Sequence, residues 1–139
     1  MSDKSGWATA AILIARLLFA GAFLMAVSFK LMDINGTAAY IAATGFPMSK
    51  LLAILAAILE IALVAAFLSG AYFREAALVA AVYVIFLGFA FHGPSHWQAN
   101  QSEFGSFVDH FTFFAGLLFA AVHGPGSVLA VRRGSAAAD

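Results

Sequence analysis

Cysteine is absent from the 139-residue chain and proline occurs only three times. Without a thiol there is no disulfide, no Cys-ligated cofactor, no C-x-x-C-H haem attachment and no sulfur nucleophile, so any redox role needs a cofactor held by other residues. Charge is scarce as well. Asp, Glu, Lys and Arg together make 10% of the residues and cancel to a net charge of zero. Scattered, balanced charges offer no basic stripe to a phosphate backbone, which excludes nucleic acid as a partner. A P-loop, a dinucleotide fingerprint, a nucleophile elbow and the H-E-x-x-H zinc motif are also missing, and a self-contained enzyme is hard to build from what remains.

What is present is oil. Apolar side chains make 63% of the sequence, 15 of them Phe, and the mean hydropathy is +0.96. Uninterrupted apolar runs fall at about 8–29, 51–69, 76–92 and 106–123, each near the roughly 20 residues that cross a hydrocarbon core as a helix. Backbone groups in lipid must pair within their own segment, so these runs read as four helices. The expected fold is all-α, an up-and-down four-helix transmembrane bundle forming a single membrane domain over 1–139, with 128–139 a flexible tail. The first long connector holds Asp33, Asn35 and Gly36, then Thr37 to Ala43, which reads as a short interfacial helix, with Pro47 opening the next span. The second, Gly93 to Gly105, is polar and carries Trp97, a headgroup-depth anchor. The run Ser106 to Asp109 fits a capping pattern ahead of the last span.

Lys4, Arg74, Arg132 and Arg133 flank one side of these spans, against Lys30 and Lys50 on the other. The excess predicts that both termini are cytoplasmic in a multi-pass inner-membrane protein. The first run resembles a secretory signal at Ala26, Val27 and Ser28, but Arg16 inside it and its length argue for a retained helix.

Span two contains one ionisable residue, Glu60, near the midplane wherever its ends are drawn. A carboxylate there must find a partner, and Arg16, halfway along span one, is the nearest candidate. The expected site is therefore a buried charge pair, Arg16 with Glu60. In the competing register, Arg16 snorkels to the surface. The pair either serves function or only fixes helix register. Arg16, Ala20, Phe23, Val27 and Lys30 recur at helical spacing, a stripe whose cationic ends lie about 21 Å apart.

Toward the outer ends, His92, His96 and His110 gather with Glu103 and Asp109. A candidate outward pocket is drawn from Lys30, Asp33, His92, Asp109 and His110, suited to a quinone headgroup. A b-type haem on His92 and His110 is the less favoured alternative, and no metal is expected, since Gly93 and Pro94 interrupt the His92 and His96 spacing. His123 belongs to an exit turn with Gly124 to Gly126. Small residues four apart, Ala53 and Ala57, Ala62 and Ala66, Ala77 and Ala81, and Gly116, Ala120 and Gly124, suit close packing within the bundle, against another membrane subunit or against a second copy.

The order of these landmarks resembles the DoxX family of small bacterial membrane proteins. It is carried by Arg16, Ser28-Phe29-Lys30-Leu31, Tyr40-Ile41 with Gly45-Phe46-Pro47, Ile58-Leu59-Glu60-Ile61, Ser69-Gly70, and Arg74 with Ala76-Ala77. His92 and Ala115-Gly116-Leu117-Leu118 with Gly124-Pro125-Gly126 complete it, over residues 12–127. The resemblance implies a four-helix inner-membrane protein. Some members look like subunits of quinone-reducing oxidoreductases such as thiosulfate:quinone oxidoreductase, and others are associated with membrane redox complexes. The chain departs from the family where a Lys-Asn pair gives way to Asp109 and His110. The expected function is an accessory subunit of a quinone-linked or respiratory redox complex. The alternatives are a non-catalytic scaffold or assembly factor and, behind it, a proton or small-solute pathway through Glu60.

Overall fold

The computed structural model describes residues 6–131. Lys4, Arg132 and Arg133, on which the expected orientation leans, lie outside the described residues, as do residues 132–139 of the expected tail. The described residues contain no strand; the elements are α1 (Gly6–Met32), α2 (Ile34–Ala43), α3 (Ser49–Ser69), α4 (Phe73–His92), a 3₁₀ turn (Pro94–His96) and α5 (Ser102–His123). Four segments, Gly6–Met32, Ser49–Ser69, Phe73–His96 and Ser102–His123, are long and apolar enough to cross a membrane. Large apolar side chains such as Phe119 and Leu18 stand 79% and 68% exposed. Water would not tolerate so much uncovered hydrocarbon, whereas lipid is an equivalent solvent for it.

The helices extend a few residues past the apolar runs wherever the flanking sequence can cap them. Asp33 ends the α1 pattern and opens α2, its Oδ1 accepting the Gly36 N–H at 2.8 Å, as an N-cap carboxylate does. Gly70 closes α3 in the left-handed region at φ 76°, its N–H donating to the Ala66 carbonyl. Two expected boundaries move. Pro47 does not open α3, which starts at Ser49 after Met48 in a left-handed conformation at φ 52°. Ser106 does not cap α5 either, because Ser102 to Gly105 already belong to that helix. Ser102 to Gly105 can be wound in at the helix end because only the first turn needs water for its N–H groups.

The chain packs as two compact units, one built from the chain up to Phe73 with the segment from Pro125 onward, the other from Arg74–Gly124. In the first unit α1 and α3 run antiparallel. The inward stripe of α1 is Arg16, Ala20, Phe23 and Val27, and the buried residues of α3 are Ala53, Ala57, Glu60, Leu63 and Phe67. Phe23 stacks on Phe67 at 5.9 Å, and Phe67 meets Phe73 edge to face at 5.4 Å. Helix α2 lays Ala38 and Ile41 inward and packs on α3. In the second unit α4 and α5 also run antiparallel, with Gly88 beside His110 and Arg74 beside Gly124.

Candidate functional site

Arg16 and Glu60 are each 1% exposed, yet they do not form the expected pair. Lys30 takes the carboxylate: its Nζ lies 2.9 Å from Glu60 Oε1. The guanidinium of Arg16 instead donates to four main-chain carbonyls, those of Pro125 (3.1 Å), Val128 (3.0 Å), Leu68 (3.3 Å) and Leu129 (2.6 Å). The reason is the direction of helical side chains. The Cα–Cβ bonds of α1 lean toward its N-terminus, so both cationic stems reach the same way along the helix. For Lys30 that way leads inward, down to the depth of Glu60. For Arg16 it leads away from Glu60, to Leu68 near the C-terminal end of α3, eight residues or about 12 Å farther along that helix.

At that end Arg16 meets what a helix C-terminus supplies, carbonyls without an internal partner and the negative end of the peptide dipoles. The rest of its shell is the segment after α5, which crosses the end of the α1 and α3 pair. Val131 N–H donates to the Ser69 carbonyl at 2.8 Å. The approach is close enough that a Cβ on Gly70 would lie 2.8 Å from Ala130 Cβ. One on Gly126 would lie 3.0 Å from Ile12 Cγ2. The expected free tail from residue 128 is thus corrected over 128–131, which are held by Arg16 and Ser69.

Of the five residues drawn into one outward pocket, Lys30 and Asp33 have other work in the first unit, one on Glu60 and one capping α2. In the second unit the structure brings His92 and His110 together, ring centroids 5.0 Å apart. Asp109 does not join them; it is exposed, and the acid that reaches the histidines is Glu103, whose Oε2 lies 2.5 Å from His92 Nδ1. With α5 starting at Ser102, Glu103 and His110 are seven residues apart and share a face, while Asp109 is turned from His110 by about 100°. Glu103 was visible in the sequence as part of the gathering, but only the helix start shows which acid faces inward.

Gly88 makes the His110 position possible. A Cβ there would sit 2.9 Å from His110 Cβ, so α4 and α5 approach at a point where only hydrogen stands between them. His110 Nδ1 lies 2.7 Å from the Ser106 carbonyl. A carbonyl only accepts, so Nδ1 carries the proton. Trp97 Nε1–H donates to the His92 carbonyl at 2.8 Å, tying the 3₁₀ turn to the end of α4. Phe107 lies within 5.2 Å of both Phe89 and Trp97 and 4.8 Å from Phe111, forming an aromatic wall beside the histidines. His92 and Glu103 side chains are 20% and 25% exposed, so the cluster opens at its end of the helices.

Among the described residues no set of three or more His, Asp or Glu converges as metal ligands. The 5.0 Å ring separation is also short for two imidazoles on opposite faces of one iron, which two ~2 Å metal–nitrogen bonds and two half-rings place about 6 Å apart. His123 stands apart in the exit turn, its Nδ1–H donating to the Gly124 carbonyl at 3.1 Å.

Comparison with known proteins places these features in a family. Residues 11–93 match the DoxX family model, a stretch that includes Arg16, Lys30, Glu60, Gly88 and His92. The chain is 29% identical over 126 residues to Inner membrane protein YphA of Escherichia coli (strain K12), covering 88% of this chain and 89% of that protein. No solved structure matches. A family model that accounts for more than half of the chain, together with four helices of membrane-crossing length, makes this protein a member of the DoxX family of integral membrane proteins.

Proposed function

We propose that the protein is an accessory subunit of a quinone-linked redox complex in the bacterial inner membrane, with both termini on the cytoplasmic side and other membrane or redox subunits as partners. The observation that carries this reading is the cluster at the open end of the second unit. Two imidazoles, one on a carboxylate and one on a helix carbonyl, stand beside a wall of Phe89, Trp97, Phe107 and Phe111. A quinone headgroup is flat, apolar on its faces and polar at two edges, so it needs aromatic stacking surface plus a few placed hydrogen-bonding groups. The membrane location follows the name of the Escherichia coli relative.

The test is retention of lipid ligand. Protein purified in mild detergent should carry ubiquinone or menaquinone, and His92→Leu or His110→Leu should lose it while the fold persists by circular dichroism. Lipid extracts free of both in either redox state, with no uptake of an added short-chain quinone or of its quinol, would remove the reading.

A second reading, a non-catalytic scaffold or assembly factor, has its own support. Every described hydrogen bond of the deeply buried Arg16 goes to the chain's own backbone, as expected of a purely structural cation. Stoichiometric co-purification with a redox subunit, without quinone, would favour it.

A further inference from the structure

The hydrogen-bond inventory of the histidine cluster goes further than the choice of a quinone site and rests on that reading. We infer that the site selects the reduced, hydroxyl-bearing form of the headgroup over the oxidised form. His110 donates its Nδ1–H to the Ser106 carbonyl. A neutral imidazole has one N–H, so its Nε2 is left as a lone pair that can only accept. His92 is in the same condition when neutral, since Nδ1–H faces the Glu103 carboxylate at 2.5 Å, the pairing that fixes a tautomer and orients a ring. Among the described partners of the two histidines, no free donor is added. Trp97 Nε1–H is already given to the His92 carbonyl, Glu103 is an acceptor when ionised, and Phe89, Phe107 and Phe111 have no polar hydrogen.

Through these described bonds the two imidazoles, when neutral, offer acceptors and no donor. An oxidised quinone presents two carbonyl oxygens, which also only accept, and placing them against Nε2 sets lone pair against lone pair. A quinol presents two hydroxyls, and each can donate to an imidazole Nε2. A site that hydrogen-bonds a hydroxyl rejects the analogue without the donor more strongly than an apolar pocket can, because its own polar atoms are left unpaired. Gly88 holds this geometry by letting His110 come against α4. Lacking space for a Cβ, the position converts a small residue into a specificity element.

The experiment compares three probes by equilibrium dialysis against the full-length protein in mild detergent: a short-chain benzoquinol kept reduced under argon, the matching benzoquinone, and the di-O-methyl ether of the quinol. Wild type is expected to bind the quinol about tenfold or more tightly than either of the others, a difference of one to two good hydrogen bonds. His110→Leu should bring the quinol down to the level of the ether. Should that variant fail to fold, the 15N shifts of His110 in the wild-type protein provide an independent reading: Nδ1 protonated and Nε2 bare, with Nε2 shifting on quinol but not on ether. Quinone bound as tightly as quinol, or the ether bound as tightly as either, would overturn the selectivity while leaving a quinone-linked role intact. Failure of all three probes to bind would overturn both.

Discussion

A lysine amine 2.9 Å from a carboxylate that is 1% exposed is a costly arrangement unless each charge answers the other. Lys30→Met takes the counter-charge from Glu60, and Glu60→Leu takes it from Lys30; each should lower stability in detergent by about 3–5 kcal/mol. The double variant should recover most of that loss, since an apolar pair of similar volume replaces two desolvated charges. Denaturant or SDS titration of the four proteins gives the coupling, and a double variant as unstable as the sum of the singles would show that the two charges act separately. The burial of Arg16 and Glu60 was legible from one-letter code, because a charge in the middle of an apolar run has few other options. Their pairing was not. Three of the four acceptors of Arg16 are main-chain carbonyls more than 100 positions away, and carbonyls belong to every residue, so no sequence pattern marks them. Gly88 was silent for a related reason: its meaning lies in His110, on another helix.

At the scale of elements, the segment after α5 behaves as a strap across the end of the α1 and α3 pair, and Arg16 is its fastening. Leu129 adopts φ 50°, a left-handed conformation that costs a branched residue about 1 kcal/mol or more, and its carbonyl makes the shortest of the Arg16 bonds. The strain is sustained by the charged hydrogen bond. Leu129→Gly should thus leave stability unchanged or raise it by up to about 1 kcal/mol, measured as the midpoint of thermal unfolding. Ending the chain after Gly124 removes three of the four acceptors and leaves a buried cation with Leu68 alone, a loss of several kcal/mol at about 1.5–3 per charged bond. In an Arg16→Met background the same truncation should cost far less, because no charge is stranded. Equal costs in the two backgrounds would mean that the strap is held by its apolar contacts instead. Helix existence was readable from the apolar runs, and Asp33 from its place between two of them. The strap was not readable, since Pro125 to Val131 look like any exit from a membrane helix until Arg16 is seen to reach them.

For the whole molecule, the consequence of four crossings in succession is that connectors alternate sides. The segment 33–48 and the turn around Ser95 should share one face of the membrane, and the Gly70 to Tyr72 turn and the Gly126 region should share the other. On the Lys and Arg balance the second face should be the cytoplasmic one, because Arg74 flanks it while Lys50 flanks the first. Absence of cysteine makes the chain its own background for labelling. Single cysteines at Asn35 and Ser95 should react with a membrane-impermeant maleimide added to whole cells, whereas cysteines at Tyr72 and Ser127 should react only after the membrane is opened. A uniform reversal would invert the orientation and keep the helices. Asn35 and Ser95 on opposite faces would be more serious, since it would mean that α3 and α4 do not both cross, and that the histidine cluster and the Asp33 connector open to different compartments. The outcome also bears on the cluster itself. Glu103, 25% exposed, marks the end of the helices at which the cluster opens. If Ser95 labels from outside, that end faces away from the cytoplasm, and a quinol would reach His92 and His110 from the outer half of the bilayer.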